Sequence, residues 1–338
     1  MSSSEALSRP PARARGDAVA EVPSAQPCAA LPVAMDVAFA VPGAEGQFYR
    51  YCYVSRDGVR ERELLPGEWL DEQVVPGSVR CDRFEVVATA IRDARLHPEP
   101  ASLSTAGFAL RRHAAALVLP DLSAAAGRGP YEAWLRGELL PKAAKLVHSA
   151  VEEDFGRPVD AVHAIDFTLR TTDGSGVDPR NVVLEAHADF TPESGARRLR
   201  EERVVFKLGD GRAITAEDRP LLVNLWQPLV ETVYRVPLAV CDGRSLASED
   251  LVRKTMYFES RTGEVFNVRR GGAQEWWYYR HMRAEEALLF VTWTPDGKTT
   301  AHSAVEDPTD PADAPPRRSL EVRFAVRFKR YQDLGTTS

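Results

Sequence analysis

The chain has 338 residues and a net charge of −6, with 44% hydrophobic and 27% charged residues. These values are typical of a globular protein that can bury a large core, as one elaborated domain or two ordinary ones. Both signs of charge are interspersed without a basic stripe, which argues against nucleic-acid binding. No apolar run reaches the ~18 residues that a membrane span needs, which argues against a membrane protein.

Residues 1–32 are rich in Ser, Ala, Pro and Arg and lack the apolar core of a secretory signal. Their small apolar area predicts a disordered tail, and Glu5, Asp17 and Glu21 argue against a transit peptide. The chain has no C-x-x-C motif, and its four cysteines are scattered: Cys28, Cys52, Cys81 and Cys241. This pattern favours free thiols in a reducing cytoplasm.

The front of the folded region, residues 33–160, combines strand and helix signals. Dense apolar and aromatic residues predict strands within 35–55 and at 83–92, RFEVVATAIR. Residues 131–155 are the strongest helical signal, because apolar residues recur there at three-to-four spacing. Pro141 interrupts this pattern, so we expect a kink or two consecutive helices with Pro141 near the first turn of the second.

From residue 161 to 330 the chain reads as short strands separated by turns, with a short helix after Pro192. The strand segments are AIDFTLRT, NVVLEAHADF, RVVFKLG, PLLVNLWQPL, RVPLAVC, KTMYFES, EVFNVRR, EWWYYRHM, ALLFVTW and SLEVRFAVRF. Many short strands at close spacing predict a barrel or a double-sheet jelly roll, with the front helices bracing one side. We expect one domain over 33–330, of the α+β class with a mainly β core, and a tail at 331–338.

One of these segments, VVLEAHADF at residues 182–190, alternates like a strand. Val183, Glu185, His187 and Asp189 are expected on one face, so an imidazole and a carboxylate project side by side. This is two-thirds of a 2-His-1-carboxylate triad, which binds non-haem Fe(II) with open positions. H-x-D alone is also common as a simple polar pair, so a second histidine is needed.

His302 follows 115 residues later and is the candidate third ligand. Beyond it Arg317 and Ser319 begin a strand two residues apart, and an arginine fork with a hydroxyl suits the carboxylate of a dicarboxylic acid such as 2-oxoglutarate. Arg323 is the rival carboxylate binder, because it lies on the same strand face as Ser319 and Glu321.

The order and spacing of several stretches within residues 80–330 carry a resemblance. The stretches include IRDARLHPEPASLSTAGFAL, EAHADFTPESGARRL, NLWQP, PLAVCDGRSLASEDLV, WYYRHMRAEEALLF and HSAVEDPTDPADAPPRRSLEVR. The chain resembles the CmcJ/NvfI-type family of Fe(II)/2-oxoglutarate-dependent oxygenases, which is similar to the aspergillic-acid-pathway hydroxylase and to gibberellin desaturases. The resemblance implies a cupin-like double-stranded β-helix, Fe(II) on His187, Asp189 and His302, and 2-oxoglutarate on Arg317 and Ser319.

The chain departs from the family pattern at three places. Gln227 replaces the arginine usual in the N-x-W-R-P stretch, Glu275 replaces a histidine, and Trp293-Thr294-Pro295 replaces a Y-D-S run. The triad and the R-x-S pair survive, so these changes bear on the substrate and on how the C1 end of 2-oxoglutarate is held.

Four aromatic residues are candidates for a substrate pocket, although aromatics on strands are more often core. They are Trp226, Trp277, Tyr278 and Tyr279. His163 and Asp166, three apart on a predicted strand, are expected to point to opposite faces and to be structural.

The resemblance implies a cytoplasmic mononuclear oxygenase, a hydroxylase or desaturase that uses Fe(II), 2-oxoglutarate and O2 in natural-product biosynthesis. The expected partner is a small-molecule substrate, with neither nucleic acid nor membrane. One alternative is a jelly-roll binder without turnover or an accessory partner of another biosynthetic enzyme, which would form no succinate. Another is a hydrolase or isomerase with a different ion, which needs neither Arg317 nor O2. The sequence does not decide the substrate or the oligomeric state.

Overall fold

Two large β-sheets pack against each other at the centre of the part of the protein that the structure describes. The computed structural model describes residues 32–41, 50–55, 58–63, 84–97, 99–113, 128–173, 180–201, 218–257, 262–311 and 313–330. The strands in chain order are β1 (Val33–Ala40), β2 (Arg50–Ser55), β3 (Gly58–Glu63), β4 (Phe84–Asp93), β5 (Phe108–Arg112), β6 (Val159–Thr171), β7 (Arg180–Asn181), β8 (His187–Ala188), β9 (Leu221–Pro228), β10 (Leu238–Cys241), β11 (Leu251–Tyr257), β12 (Thr262–Val268), β13 (Trp276–Tyr278), β14 (Glu286–Trp293), β15 (His302–Ala304) and β16 (Arg318–Phe328).

The eight-stranded sheet has the order β1-β4-β13-β10-β15-β8-β12-β11, and the six-stranded sheet has the order β5-β14-β9-β16-β6-β7. Strands β2 and β3 form a separate hairpin. Between the two large sheets lies an apolar cluster with residues from both, including Val240 and Trp277 from one and Leu288 and Phe290 from the other. This is the double-sheet jelly roll that the strand pattern predicts.

The helices lie on one side of the six-stranded sheet or next to the site. Helix α1 spans Arg128–Trp134 and α2 spans Leu140–Phe155, with the π-helical turn Leu135–Leu139 between them. Pro141 falls in the first turn of α2, as predicted, directly after the π-helical turn, where the helical hydrogen-bond pattern changes. The buried faces of α1 and α2 share one core cluster with β6, β9, β14 and β16, so they brace the sheet as expected.

Helix α3 (Pro192–Arg200) is the predicted short helix after Pro192. The front part of the chain also does more than brace the core. It supplies β1 and β4 to the eight-stranded sheet and β5 to the six-stranded sheet. β4 pairs with β13 and β5 pairs with β14, so residue 160 marks a change in sequence texture and not a boundary between layers.

Residues 182–190 do not form the continuous strand that the alternation predicts, since only His187–Ala188 is paired as a strand. The residues before it form single backbone hydrogen bonds with several neighbouring strands. Ala186 bonds to β1 and β12, whereas Val183 bonds to β15. Because no one strand runs alongside the whole segment, no ladder forms, and Leu184, predicted on the face opposite His187, is 48% exposed.

The predicted tails, apart from residue 32, and the segment 203–209 lie outside the described residues. Within the described part of the chain, the longest helix is too short and too polar to cross a membrane.

Candidate active site

Two histidines meet across neighbouring strands of the eight-stranded sheet. His302 on β15 is directly opposite His187 on β8, and their ring centroids lie 4.3 Å apart. Directly opposite residues share a face, and Phe290 of the six-stranded sheet packs 4.7 Å from the His302 ring, so both imidazoles point into the space between the sheets.

Asp189 follows β8 immediately and is held by the start of α3. The Thr191 hydroxyl accepts a hydrogen bond from the Ser194 N–H at 3.1 Å, and the Ser194 hydroxyl lies 2.9 Å from the Thr191 N–H. This reciprocal cap fixes the chain two residues after Asp189. The local sequence therefore places a carboxylate beside the two rings.

His187, Asp189 and His302 offer ligand atoms that lie within 4.8 Å of one another. The Asp189 Oδ1 atom is 3.8 Å from His187 Nε2 and 3.9 Å from His302 Nε2. The Nδ1 atom of His187 lies 2.8 Å from the Glu185 carbonyl, and that of His302 lies 3.3 Å from the Thr300 carbonyl. These carbonyls favour protons on Nδ1, which leaves both Nε2 lone pairs available.

The electrostatics of the three residues suit a divalent cation. Burial lowers the pKa of His187 to about 4, with a further contribution from His302 against the opposing charge of Asp189. Burial also lowers the pKa of His302. Burial would raise the pKa of Asp189, but Arg323 and the two histidines outweigh it and hold that pKa below its usual range. The site therefore presents neutral imidazoles and a carboxylate at neutral pH, the protonation states that metal ligands need.

Beside the histidines lies a small cavity with mixed polar and apolar walls. It is lined by Arg170, Val183, His187, Trp226, Leu238, His302, Ala304, Arg317 and Glu321. The buried Arg317 guanidinium lies over the Trp226 ring, 5.0 Å from its centroid. Its Nη1 donates to the Val236 carbonyl at 2.6 Å, and its Nε donates to the Ser319 hydroxyl at 3.0 Å.

No carboxylate among the described residues forms an ion pair with Arg317. Burial and the charge of Arg170 together lower the pKa of Arg317 to about 9, against the opposing charge of Glu321, so the guanidinium still carries its charge at neutral pH. A buried cation in a cavity beside a metal site is suited to an anionic ligand. Ser319 orients the arginine and is not part of the cavity wall.

Arg323, the rival carboxylate binder, already has three acidic partners. Its Nε lies 3.1 Å from Asp189 Oδ2, its Nη1 lies 3.2 Å from Asp166 Oδ1, and its Nη2 lies 2.8 Å from Glu321 Oε1. These carboxylates occupy the guanidinium, so the geometry favours Arg317 for an incoming anion. Asp166, which was expected to be only structural, reaches the site through Arg323.

Of the four aromatic candidates, only Trp226 lines the cavity. Trp277 shares the inner face with His302, but Val240 on β10 lies between them. The Trp277 ring packs against His97 instead, with ring centroids 4.9 Å apart. Tyr279 lies in the same apolar cluster as Trp277.

Tyr278 lies on the opposite face of β13, in another core cluster, where its hydroxyl donates to Asp307 at 2.9 Å. The physical reason is the strand alternation itself, since adjacent residues cannot face the same pocket.

The three departures from the family pattern have structural partners. Gln227 is buried, with Oε1 3.0 Å from His113 Nε2 and Nε2 2.9 Å from the Ala284 carbonyl. Glu275 forms a half-exposed ion pair with Arg92. The Trp293 indole N–H donates to the Pro192 carbonyl at 3.0 Å and so ties β14 to α3.

The sequence reasoning missed Asn224, Arg170 and Glu321. Asn224 donates from Nδ2 to Asp189 Oδ2 at 2.7 Å, while Arg170 and Glu321 line the cavity. Asn224 is the first residue of the NLWQP stretch, so the family motif held a signal for it. Arg170 is opposite Ser319 in the register of β6 and β16, a relationship that only the strand pairing reveals.

Comparisons with known proteins give the family of the chain. Residues 72–327 match a family model described as an oxidoreductase/YMDC permease-like domain. The Fe(II)/2-oxoglutarate-dependent dioxygenase nvfI of Aspergillus novofumigatus is 29% identical over 245 residues, covering 69% of this chain and 81% of the relative. Aspirochlorine biosynthesis protein N of Aspergillus oryzae is 34% identical over 142 residues, covering 40% of this chain and 58% of the relative. The hydroxylase/desaturase efuI of Hormonema carpetanum is 30% identical over 159 residues, covering 43% of this chain and 51% of the relative.

Among solved structures, the iron and alpha-ketoglutarate-dependent endoperoxidase NvfI matches with a TM-score of 0.65 at 22% identity, covering 88% of this chain and 97% of that chain. This likeness establishes the fold and confirms the predicted cupin-like jelly roll. Because the family model spans most of the chain, the chain belongs to this oxidoreductase family, and the relatives named as a dioxygenase and a hydroxylase/desaturase confirm the NvfI-type resemblance of its motifs.

Proposed function

We propose that this protein is a non-haem Fe(II)/2-oxoglutarate-dependent oxygenase that oxidises a small molecule of natural-product biosynthesis. One observation carries the proposal: two histidines and an aspartate converge beside a cavity whose wall also holds the buried cation Arg317. The relatives named as dioxygenases and hydroxylase/desaturases support the reaction class.

The three candidate ligands fit Fe(II). The donor set is two imidazole nitrogens and one carboxylate, the combination that holds non-haem Fe(II) and leaves positions open. The Nδ1 contacts of His187 and His302 with backbone carbonyls direct Nε2 to the same point as Asp189 Oδ1. These residues would hold the ion.

Arg317 would hold the far carboxylate of 2-oxoglutarate. A guanidinium presents paired N–H donors that match a carboxylate, and Ser319 and Val236 fix two of the Arg317 nitrogens in place. The stack on Trp226 restricts the guanidinium plane further. The guanidinium and the carboxylate would interact in a buried site, where the low dielectric constant makes the interaction stronger than in water.

When bound, Fe(II) with 2-oxoglutarate and O2 would supply the oxidising power, since decarboxylation to succinate and CO2 is coupled to oxidation of a substrate C–H bond. The chain's own residues position the reactants and exclude water. Val183, Leu238 and Ala304 form the apolar part of the cavity wall, which limits the access of water to the metal.

The test is turnover of 2-oxoglutarate. With ascorbate added as the reductant in place of the substrate, purified protein loaded with Fe(II) should convert 2-oxoglutarate and O2 to succinate and CO2, and Asp189→Ala should stop this conversion. Asp296→Ala, which removes an exposed acid paired with Lys298 on a surface turn, is the matched control and should behave like the wild type.

Succinate formation that survives Asp189→Ala would contradict the assignment of the metal ligands. A protein that binds Fe(II) but gives neither succinate nor a spectral change with 2-oxoglutarate would instead be a binder.

The substrate class and location are part of the same proposal. A small-molecule substrate is supported by the named relatives, and a cytoplasmic location is supported by the scattered cysteines and by the buried free thiol of Cys241.

A further inference from the structure

A row of three polar residues and one phenylalanine on the six-stranded sheet faces the two histidines. Asp166, Arg323 and Asn224 are direct neighbours across β6, β16 and β9, and Phe290 on β14 continues the row. We refer to these four residues as the positioning row. Phe290 packs on the His302 ring, which brings the row against the metal ligands.

Two residues of the positioning row, Asn224 and Arg323, make different contacts with the two oxygens of Asp189. Oδ2 accepts hydrogen bonds from Asn224 Nδ2 at 2.7 Å and from Arg323 Nε at 3.1 Å. Oδ1 has only a longer contact with Arg323 Nη2, at 3.4 Å, and it is the oxygen that lies beside both histidine Nε2 atoms. Two short donors therefore occupy one oxygen and leave the other for a cation.

Arg323 is itself fixed by more than Asp189. Asp166 and Glu321 bind its two terminal nitrogens, and Arg198 of α3 holds Asp166 with Nη2 at 2.5 Å from Oδ2. Three carboxylates thus converge on one guanidinium, whose side chain is 20% exposed. Asp189 therefore shares the charge of Arg323 with two other carboxylates, and a divalent cation beside Asp189 would offset its remaining negative charge.

We propose that Arg323 and Asn224 are positioning residues that hold Asp189 as a ligand through Oδ1 alone. The proposal rests on the proposed metal site. A carboxylate that bound through both oxygens would take one more coordination position, and 2-oxoglutarate together with O2 would then have too few. Arg323 thereby has a role of its own, distinct from the co-substrate role considered for it and for Arg317.

The experiment compares Co(II) binding by the wild type, Arg323→Lys and Asn224→Ala. Lysine keeps the charge but cannot reach Asp189, Asp166 and Glu321 at once, and alanine removes the second donor to Oδ2. Loss of a residue that orients a metal ligand typically weakens metal affinity by about 10-fold to 100-fold, and we expect this for each variant. The visible d–d bands of bound Co(II) should also change, because they report the number of ligands.

Arg327→Lys is the matched control. Arg327 lies on the same strand, has a side chain that is 3% exposed against 20% for Arg323, and pairs with Asp160 at 2.6 Å. A purely structural effect of losing a buried arginine from β16 would appear in both lysine variants as reduced stability. Only Arg323→Lys should alter the Co(II) affinity and spectrum.

The outcomes are separable. Wild-type Co(II) affinity and d–d bands in both Arg323→Lys and Asn224→Ala would overturn the inference, as would an equal loss in Arg327→Lys. If Arg323→Lys does not fold, Asn224→Ala alone decides by the same criteria. Failure of the wild type to bind either Co(II) or Fe(II) would instead overturn the proposed function.

Discussion

His302 and His187 are direct partners in the register of β15 and β8, with imidazole centroids 4.3 Å apart. Each ring directs one nitrogen to the same point, so both histidines are needed to bind the metal ion. We expect His302→Ala to reduce bound Fe(II) from about one ion per chain to almost none. Metal analysis after gel filtration measures this directly.

The control for that measurement is His148→Ala, which removes a half-exposed histidine on α2 paired only with Glu152. It should retain the wild-type metal content. Full metal occupancy in His302→Ala would show that the ion is held elsewhere.

Arg317→Ala should separate co-substrate binding from metal binding. Removing one partner of a buried charge pair costs about 2 kcal/mol or more, so the 2-oxoglutarate concentration for half-maximal succinate formation should rise about 30-fold or more. Metal content should stay close to that of the wild type.

Arg318→Ala is the neighbour control, since Arg318 is partly exposed and lies near Asp173 on the outside. An unchanged 2-oxoglutarate dependence in Arg317→Ala would return Arg323 as the carboxylate binder.

The stability of the metal-free protein should fall on acidification. His187 has a folded-state pKa of about 4 against an ordinary value of 6.5, so between these values the unfolded chain binds a proton that the folded chain does not. Stability therefore decreases as the pH falls from about 6.5 to about 4, by about 3 kcal/mol for this residue alone. Urea unfolding at several pH values measures the slope, which should be smaller in His187→Asn.

Fe(II) loading follows the same titration, so metal loss should occur at a lower pH than for an exposed histidine pair. Because the pKa values of both histidines are lowered, metal binding should persist well below pH 6.5 and fail only towards pH 4. Loss of iron centred near pH 6.5 would contradict the burial of these rings.

Gly195→Ala should destabilise the protein. A Cβ atom at Gly195 would lie 2.2 Å from the Trp293 ring, and overpacking of this kind costs about 1–3 kcal/mol. Gly137→Ala is the control, because that glycine lies in a helical turn with open space around it and should be neutral or slightly stabilised. Chemical denaturation of the two variants compares them.

The sequence predicted those features that depend on local periodicity and composition. Alternation located most of the strands, and helical spacing with Pro141 located the break between α1 and α2. The long interval between His187 and His302 predicted their meeting because a jelly roll returns distant strands to the same place.

Features that depend on strand pairing could not be read from one chain. Arg317 and Arg323 have the same place in the alternation around β16, so periodicity alone does not show which one binds a carboxylate ligand. Their partners distinguish them, because Arg323 pairs with Asp189 whereas Arg317 bonds to the Ser319 hydroxyl. The sequence alone predicts that Asn224 is an ordinary buried strand residue. Its link to the site follows from its pairing with Arg323 across β9 and β16. Tyr278 adjoins Trp277 and faces the other way, so strand alternation alone indicates that the two side chains do not line one pocket.

Strand β16 is among the last of the described elements in the chain, yet it lies inside the six-stranded sheet between β9 and β6. It carries both Ser319 and Arg323, and Arg317 immediately precedes it. The sheet therefore closes only when this late segment pairs with both β6 and β9, a non-local step of the kind that slows folding. A chain cut before residue 317 would keep all three metal ligands but lack the guanidinium groups of Arg317 and Arg323, so full-length synthesis is a condition for a working site.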